Sequence, residues 1–492
     1  MIIKTAPDEI ENYLSDASNF KGTCDVVYIP ENPDEISGIM KEAFRNKTSV
    51  TISGNGTGLT GARVPLGGIL ISTEKLNRII EINKEQKYAL VEPGVILDNL
   101  QNEVNARNLL YPPDPTEWNC FIGGTVATNA SGEKTFKYGP TRNFVVGLQI
   151  VLADGEIIDL ERGKQKAVGN QLTLITNSGK EIAVTIPDIK MPAVKNASGY
   201  FLKRDMDALD LFIGSEGTLG IVTQIKLRLV ELPENILSSV IFFDSEDNAI
   251  SFIEEAREIS FKTRADNSDS LDALALEFMD ENCLAFLKDD YSQIPEGAKA
   301  SVWFEQETTE ENDEKLFNEW AALITKHKGN NETAWFAFSA KDKKKLEEFR
   351  HSVSAKANEY IARNNVRKLG TDVAVPDISF RQFYKECKSI VKNSGLKFIA
   401  YGHFGNSHLH LNMLPSNEDE YNRGKEIYKQ ICGKAVDLGG TVSAEHGIGK
   451  LKTEYLKLMY GEDNIHRMTE IKKTLDPELI LGKGTLFNQE IF

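Results

Sequence analysis

The histidines of this chain are concentrated in a way that suggests chemistry. Of the seven histidines, His403, His408 and His410 lie within eight positions, and His446 follows directly after Glu445. A single histidine is more often a hydrogen-bonded core residue than a ligand, but three in so short a run are harder to explain by packing. Two imidazoles and a carboxylate with open positions form a catalytic rather than a structural site for a divalent metal. We expect zinc, with manganese or iron as alternatives.

The spacing of these residues predicts that they share one surface. From His408 onward polar and apolar residues alternate, so His408, His410 and Asn412 lie on one face of a predicted strand. His403 ends the preceding predicted strand and lies across a glycine turn, from which it can reach the same face.

A second candidate site is the glycine-rich run at residues 53–61. It contains Gly56-x-Gly58-x-x-Gly61, which is formally the spacing of a dinucleotide-binding fingerprint. A Rossmann loop must open a helix, however, and here Pro65 and another predicted strand follow; no Gly-Lys-Ser/Thr closes a P-loop either. What remains is a coil of small residues whose backbone N–H groups suit a pyrophosphate. A structural glycine-rich turn is the alternative for this stretch taken alone.

Two differently patterned parts of the chain must position these residues. Before residue 232, short strand patterns mix with helical spacing, which indicates an α+β domain with glycine loops at strand ends. After it, charged amphipathic helices alternate with strands, which indicates one sheet with helices packed on it. The polar segment 160–192 is interpreted as an excursion from the first domain. The predicted strands are 49–52, 68–72, 88–91, 148–152, 238–243, 300–304 and 333–338, and the predicted helices are 7–16, 33–46, 246–260, 309–327 and 341–364.

Composition and charge argue against several classes of function. The chain has 492 residues, with 57 Lys and Arg against 73 Asp and Glu, and a formal net charge of −16. This acidic balance argues against nucleic acid or an anionic membrane surface as a partner, because both would repel it. No apolar run approaches the ~18 residues of a membrane span, and the N-terminus lacks the apolar core of a signal peptide. The five cysteines form no CxxC pair, so a disulfide framework, a zinc ribbon and an iron–sulfur cluster are not expected.

Three further stretches carry a resemblance to a known family. Residues 111–115 read YPPDP, residues 122–132 read IGGTVATNASG, and residues 213–221 read IGSEGTLGI. With the loop at 53–61, their order and spacing resemble the FAD-binding domain of the vanillyl-alcohol-oxidase/PCMH class of flavoproteins. The resemblance implies that the loop holds the FAD pyrophosphate and that the second stretch lines the isoalloxazine, which only small residues let the backbone approach. The residues that it implies in FAD contact are Ser53, Gly54, Asn55, Gly56, Thr57, Gly58, Gly61, Pro113, Asp114, Gly124, Thr125, Asn129, Ser131, Gly132 and Ile221.

The mode of FAD attachment can also be predicted. Some members of that class bind FAD covalently through His or Cys. No histidine of this chain precedes His327, and Cys120 lies outside the usual attachment position. We therefore predict non-covalent FAD.

The histidine-rich stretch resembles a second group of proteins. The pattern from His403 to Asn412, followed by Glu445-His446-Gly-Ile-Gly, is similar to the C-terminal domain of D-lactate, glycolate and D-2-hydroxyglutarate dehydrogenases. In the metal-dependent members, the residues matching His403, His410 and Glu445 bind the metal. The histidine matching His446 is the catalytic base.

The same resemblance suggests how the substrate is held. Arg350 matches the arginine that binds the substrate carboxylate, and Ser354 lies one helical turn later; a solvated helix arginine is the alternative. Lys368 and Tyr401 are further candidates for the pocket. The chain departs from these enzymes at His408, where they usually have asparagine. His408 could join the metal, contact the substrate or replace the asparagine, and we favour a contact with the substrate or a place behind the metal ligands.

These resemblances predict an α+β architecture in three parts. A two-part PCMH-type FAD-binding domain (20–232) is followed by a ferredoxin-like α+β substrate or cap domain (233–450) and a C-terminal helical return (451–492) that packs near the flavin.

The implied activity is FAD-dependent oxidation of a small D-2-hydroxy acid, of the D-lactate, glycolate or D-2-hydroxyglutarate type, to the 2-oxo acid. Because no other redox-centre motif is present, the electrons must pass to an external acceptor: a cytochrome, a quinone, an electron-transfer flavoprotein or oxygen. We expect a cytoplasmic protein, peripheral to a membrane at most through its acceptor.

Three other functions are weighed against this one. Alkyl-dihydroxyacetonephosphate synthase, a non-redox flavoenzyme, resembles residues 440–450 but carries consecutive histidines where this chain has Glu445-His446. A flavin-binding electron-transfer subunit would not need a full set of metal ligands and base. A metal-dependent oxygenase would leave the first 232 residues unexplained.

Overall fold

The computed structural model describes residues 1–337, 339–364, 366 and 369–491. Up to residue 231, short strands and helices follow one another closely along the chain. They are β1 (Ile2–Lys4), α1 (Pro7–Ile10), β2 (Val26–Ile29), α2 (Pro33–Asn46), β3 (Val50–Ser53), β4 (Ile69–Ser72), β5 (Ile79–Asn83), β6 (Tyr88–Val91), α3 (Leu97–Asn105), β7 (Leu109–Leu110), α4 (Ile122–Thr128), α5 (Thr135–Tyr138), β8 (Val145–Val151), β9 (Ile157–Glu161), β10 (Gln171–Ile175), β11 (Glu181–Thr185), α6 (Ala208–Phe212), β12 (Ile221–Arg228) and β13 (Val230–Glu231).

These elements build two main sheets. A four-stranded sheet has the order β1-β2-β4-β3, with parallel pairing among β2, β4 and β3. A five-stranded antiparallel sheet has the order β5-β6-β12-β8-β9. The glycine loop leaves the carboxyl end of β3, which is the edge of a parallel sheet where ligands commonly bind.

The rest of the chain forms one large antiparallel sheet covered by long helices. The sheet has the order β17-β14-β16-β15-β20-β21-β18, and β19 also pairs with β21. Among the described residues, no helix combines the length and apolar character needed to cross a membrane. The elements are β14 (Asn235–Phe243), α7 (Glu246–Asp266), β15 (Ala273–Asp280), α8 (Glu281–Leu287), β16 (Ala300–Thr308), α9 (Asp313–Lys326), β17 (Trp335–Ala337), α10 (Ala340–Arg363), β18 (Leu369–Gly370), β19 (Val373–Ala374), α11 (Asp377–Ser394), β20 (Phe398–Gly402), β21 (His408–Met413), α12 (Glu418–Asp437), α13 (Thr453–Tyr460) and α14 (Glu462–Leu475).

Helix α2 shows how local sequence sets these elements. The Asn32 side chain caps it by accepting a first-turn N–H at 3.0 Å, and Pro33 occupies the first helical position. Lys47 closes the helix in the left-handed conformation, with φ 55°. Its apolar face, with Ile36 and Met40, is fully buried in a cluster shared with β3 and β4. This packing holds the strand from which the glycine loop departs.

The predicted α+β class is confirmed, and the differences in detail have local causes. The helix predicted at 7–16 ends at Ile10, and the Asp16 carboxylate turns toward the glycine loop to accept the Gly61 N–H at 2.9 Å. The polar segment 160–192 contains the β10–β11 hairpin. The strand predicted at 333–338 is observed over Trp335–Ala337, and Phe338 lies outside the described residues.

The C-terminal residues return to the first sheet. The Val50 N–H donates to the Ile480 carbonyl at 2.7 Å, and the Gly482 N–H donates to the Val50 carbonyl at 2.9 Å. Lys472 of α14 is 3% exposed and donates to the Thr218 carbonyl at 3.0 Å. The end of the chain therefore packs on the strand that leads to the glycine loop. The domain boundaries at 232 and 450 stay predictions.

A buried carboxylate joins the turn before β12 to the loop after α12. Glu216 is 6% exposed, and its oxygens accept the N–H groups of Ile448 and Gly449, both at 2.8 Å. Burial raises the pKa of Glu216 to about 7, against these two N–H groups and the nearby ammonium groups of Lys450 and Lys452. The loop that begins with Glu445 and His446 is thus hydrogen-bonded to the part of the chain before residue 232, which also carries the glycine loop.

We expect Glu216 to make the free energy of unfolding fall as pH rises. Its pKa is about 7 in the folded protein against an ordinary 4.5, so the folded state binds more protons between these values. The stabilisation is full below pH 4.5 and is lost as pH rises through 7, with a slope of at most about 1.4 kcal/mol per pH unit. Urea unfolding across this window should show the slope in the wild type but not in Glu216→Gln. Glu42→Gln, at an exposed position of α2, is the matched control; equal slopes in all three proteins would contradict the expectation.

Candidate active site

Four side chains meet where β20, β21 and the loop after α12 come together. Strand β20 leads directly into His403, and β21 presents His408 and His410 on one face. Glu445 completes the group. Each of the four side chains offers a ligating atom within 4.8 Å of those of the other three. The structure therefore brings together all three predicted metal ligands, with His408 beside them.

The Glu445 carboxylate is held from several sides. His403 Nε2 lies 3.3 Å and His410 Nε2 lies 3.5 Å from Glu445 Oε2. The buried ammonium of Lys195 bonds to Oε1, and the Ser131 hydroxyl donates to the same oxygen at 3.2 Å. Burial alone would raise the pKa of Glu445, but His403 and Lys195 hold it well below its ordinary value. The group is therefore an ionised carboxylate.

Hydrogen bonds from behind fix the orientation of two of the imidazoles. His403 Nδ1 lies 2.6 Å from Glu277 Oε1, and His410 Nδ1 donates to the Thr371 carbonyl at 3.1 Å. The carbonyl leaves the lone pair of His410 on Nε2. Burial would lower the pKa of His403, but Glu277 and Glu445 raise it to about 9. His403 therefore carries a proton that a bound metal ion would displace.

The fully buried Asp372 organises the other side of the site. Its Oδ1 accepts His408 Nε2–H at 3.0 Å, and its Oδ2 accepts the Ser443 hydroxyl at 2.6 Å and the His446 backbone N–H at 3.0 Å. Lys452 Nζ lies 3.2 Å from Oδ2. Burial alone would raise the pKa of Asp372, but the Lys452 ammonium and the N–H that His408 donates hold it well below its ordinary value.

His446 has the surroundings of a general base. Its Nδ1 lies 3.3 Å from Asp372 Oδ2, and its ring stacks beside that of His410 at 5.6 Å between centroids. Burial lowers the pKa of His446 below its ordinary value, with the Asp372 carboxylate opposing. The ring is therefore neutral. A carboxylate at Nδ1 places the proton there and leaves Nε2 able to accept another.

The residues predicted to hold the substrate lie beside this group. Arg350 is 3% exposed and donates through Nε and Nη2 to Glu277 Oε2 at 2.8 and 2.6 Å. Ser354 Oγ lies 2.8 Å from the Tyr401 hydroxyl, and the Arg350 guanidinium lies 5.6 Å from the Tyr401 ring. The Nε edge of the guanidinium is thus used by Glu277, which leaves Nη1 for a substrate. Lys368 lies outside the described residues.

The glycine loop and α4 leave open space where side chains would lie. Apart from its chain neighbours and its own helix backbone, a Cβ added at Gly124 would meet no atom of the described residues within 4 Å, and at Gly54 and Gly58 the nearest such atoms are at 3.9 and 3.8 Å. Gly124 lies inside α4, where glycine costs about 1 kcal/mol relative to alanine. Packing within the protein does not explain it there. An open surface of small residues fits the close approach of a flat ligand to the backbone.

Other glycines of the predicted FAD site shape the loop itself. Gly56 and Gly61 have φ of +78° and +75°, which favours glycine. A Cβ on Gly132 would lie 1.8 Å from the Asp114 carbonyl oxygen. The Arg63 guanidinium ties the loop by donating to the Gly54 carbonyl at 2.9 Å.

The remaining residues predicted to contact FAD surround these glycines. Asp114 is bonded by Lys134, and the Asn129 side chain accepts the Arg142 N–H at 3.0 Å. Ile221, the first residue of β12, is 1% exposed in the core, so a contact with FAD is expected from its backbone. Of the others, Ser53 ends β3, Asn55 and Thr57 lie in the loop, Thr125 lies in α4, Ser131 follows that helix, and Pro113 lies between β7 and α4.

Sequence reasoning missed the residues that support the ligands. Glu277 is a charged residue inside the otherwise apolar run of β15, and this pattern could have indicated a buried functional carboxylate. No comparable pattern marked Asp372 and Lys195 in the sequence. Their partners are 73 and 250 positions away along the chain, at Glu445.

Comparisons with known proteins identify the family of the chain. The model of the C-terminal domain of FAD linked oxidases matches residues 232–486, and an FAD binding domain model matches residues 24–161. Glycolate oxidase subunit GlcD of Bacillus subtilis (strain 168) is 30% identical over 97% of this chain and 92% of its own. A D-lactate dehydrogenase of Anaerostipes hadrus is 29% identical over 97% and 93%, and a D-2-hydroxyglutarate dehydrogenase of Stutzerimonas stutzeri (strain A1501) is 26% identical over 99% and 96%.

A solved structure shares the fold. Alkyldihydroxyacetonephosphate synthase superposes with a TM-score of 0.67, at 15% identity, over 98% of this chain and 81% of its own. At this identity the likeness shows the fold alone. Together with the matched models, it confirms the predicted PCMH-type FAD-binding architecture followed by an oxidase C-terminal domain.

The open space at Gly124 leads to a prediction about flavin content. Gly124→Leu should fill the space assigned to the isoalloxazine and remove most of the FAD, while the unfolding transition of the protein is retained. The measurement is the ratio of flavin to protein absorbance after purification. Gly433→Leu is the matched control, because Gly433 also lies within a helix, α12, with no protein atom within 4 Å of an added Cβ. A Gly124→Leu protein with full FAD would refute the assignment.

Proposed function

The chain belongs to the FAD-linked oxidases and is an FAD-dependent hydroxy-acid oxidoreductase, and on that premise we propose that it oxidises a small D-2-hydroxy acid to the 2-oxo acid. Candidate substrates are of the D-lactate, glycolate and D-2-hydroxyglutarate type. FAD, held non-covalently, would supply N5 as the acceptor of the hydride from the α-carbon. The relatives named for these activities support the substrate class.

The observation that carries this proposal is the neutral His446 ring beside a cluster of metal-ligating side chains. His446 would take the proton of the substrate hydroxyl on Nε2, while Asp372 holds Nδ1. The loop that bears His446 is also tied to the FAD-binding half through Glu216. The loop that carries the proposed base is therefore connected to the part of the chain proposed to bind the flavin.

A divalent ion fits the donor set formed by His403, His410 and Glu445. Imidazole nitrogens and a carboxylate are ligands that zinc, and also manganese or iron, accept. A carboxylate or a carbonyl supports each of the two imidazoles from behind, as is usual for metal-bound histidines. Such an ion, when bound, lowers the pKa of a hydroxyl that it holds. We propose zinc, with manganese or iron as alternatives.

The substrate carboxylate would be received by Arg350. Its guanidinium is oriented by Glu277 and lies next to the Ser354–Tyr401 hydroxyl pair. Ser354 and Lys368 would make further contacts with the substrate. The Arg350–Glu277 pair is fully buried, so the guanidinium is held rigidly for its second acceptor.

The electrons would leave to a protein or a quinone acceptor. Cytochromes, quinones and electron-transfer flavoproteins all suit a flavin that is the chain's one predicted redox centre. A net charge of −16 favours a partner with basic patches, whose association rate falls as salt rises.

Anaerobic flavin bleaching tests the proposed reaction. D-lactate, glycolate or D-2-hydroxyglutarate should bleach the FAD absorbance, and the L-enantiomers should not.

Chelator treatment should abolish the bleaching but leave the FAD spectrum intact. His446→Ala should slow it on the order of 10²–10⁴-fold, because the base is lost. His466→Ala, at an exposed histidine of α14, is the matched control. No bleaching by any 2-hydroxy acid would overturn the proposal, and full activity after chelation would remove the metal from it.

Turnover in air distinguishes a dehydrogenase from an oxidase. We expect turnover with an artificial dye acceptor to be much faster than peroxide production without dye, since the proposed acceptor is not oxygen. Rising salt should slow reduction of a basic protein acceptor but not of a neutral dye. Peroxide production at the dye-coupled rate would identify an oxidase instead.

A further inference from the structure

Strand β21 carries a buried histidine nitrogen that packing does not explain. His408 is 0% exposed, and its Nδ1 has no hydrogen-bond partner among the residues that the structure describes. Leaving a buried polar atom unpaired costs on the order of 1–3 kcal/mol. Such an atom in a folded protein calls for a partner, and a bound ion is one of the kinds that supply it.

The hydrogen bonds around Asp372 determine which nitrogen of the His408 ring carries the proton. The Asp372 carboxylate accepts N–H groups from the backbone of Glu445 and His446 and the hydroxyl of Ser443, so it acts as an acceptor throughout. His408 Nε2, at 3.0 Å from Asp372 Oδ1, must then be the donor. Nδ1 of the same ring consequently presents a lone pair, which suits a metal ion or a hydrogen-bond donor and excludes a hydrogen-bond acceptor.

His408 also lies among the three proposed metal ligands. One of its ring nitrogens is within 4.8 Å of ligating atoms of His403, His410 and Glu445. The His408 ring centroid is 5.2 Å from that of His403 and 4.3 Å from that of His410. We propose that His408 Nδ1 is a third imidazole ligand, so that four side chains of this chain hold the ion. This inference rests on the proposed function, from which it takes the metal, and it replaces our expectation that His408 contacts the substrate or lies behind the ligands.

The support behind the three rings is alike. Metal-bound histidines usually donate their other ring nitrogen to a carboxylate or a carbonyl. Here Glu277, the Thr371 carbonyl and Asp372 each bond one nitrogen of a ring, so the other nitrogen of each ring is the one that can bind an ion.

A third imidazole changes which ions the site prefers. Three nitrogen donors and one oxygen donor favour iron, cobalt or nickel over manganese and magnesium. Four protein ligands complete a tetrahedral zinc site and leave no open position. A six-coordinate ion keeps two positions, which is the number that the hydroxyl and carboxylate of a 2-hydroxy acid need. His408 therefore shifts the expected metal from zinc toward a six-coordinate ion.

The number of imidazoles on the metal tests the inference directly. X-ray absorption of the FAD-loaded protein reconstituted with Co²⁺ should show three imidazoles in the wild type and two in His408→Asn, which places there the asparagine usual in the related dehydrogenases. His466→Asn makes the same chemical change at an exposed ring and should keep three. The wild-type preference for Ni²⁺ over Mn²⁺, measured by competition, should fall on the order of tenfold or more in His408→Asn.

Each outcome bears on one proposal or the other. If the metal of the wild-type protein binds two imidazoles and the substrate still bleaches the flavin, the His408 inference is overturned and the proposed function stands. A wild type that binds no metal and bleaches after chelation overturns both the metal and this inference. Should His408→Asn fail to retain FAD, His408→Gln with the same imidazole count decides instead, because glutamine is closer in length to histidine.

Discussion

The arrangement of the site depends on the burial of one carboxylate, Asp372. A fully buried charge is tolerated only when donors surround it, and removing one partner of such a pair typically costs about 3–5 kcal/mol. Asp372 obtains its donors from the very loop that bears Glu445 and His446, through their backbone N–H groups at 3.2 and 3.0 Å. It also receives the His408 ring and Lys452. The need of one charge for partners therefore positions the proposed metal ligand Glu445, the proposed base His446 and the His408 ring at the same time.

Charge balance extends this constraint to the whole site. Among the described residues at its centre, three buried carboxylates, Glu277, Asp372 and Glu445, each contact a permanent cation. Those cations are Arg350, Lys452 and Lys195, in the same order. The proton on His403 is a further positive charge, which a bound ion would displace. A divalent ion would bring two positive charges, of which an ionised substrate carboxylate offsets one. The substrate therefore lowers the net charge that the ion adds to a buried space, which favours their joint binding.

The sequence reveals the ligands more readily than what holds them. Spacing within a few residues carried the prediction that His403, His408 and His410 share a surface, because a strand has a period of two. The glycine loop and the fold class were also readable, since four separated motifs had to agree. The contacts of Lys195 with Glu445 cross 250 positions, and no local pattern marks them. The unpaired nitrogen of His408 is likewise visible only when its neighbours are known.

The fold leaves the chemistry to residues at the ends of its elements. A TM-score of 0.67 at 15% identity relates this chain to alkyldihydroxyacetonephosphate synthase, so the sheets persist when most side chains have changed. His403 lies just past β20, and Glu445 and His446 lie in the loop after α12, where substitution does not disturb a sheet. Glu277 differs, because it lies within β15 and its carboxylate must find Arg350 and His403 inside the core. The loss of Glu277 would leave the buried Arg350 guanidinium without its carboxylate, so a change of chemistry at this position would require Arg350 to change with it.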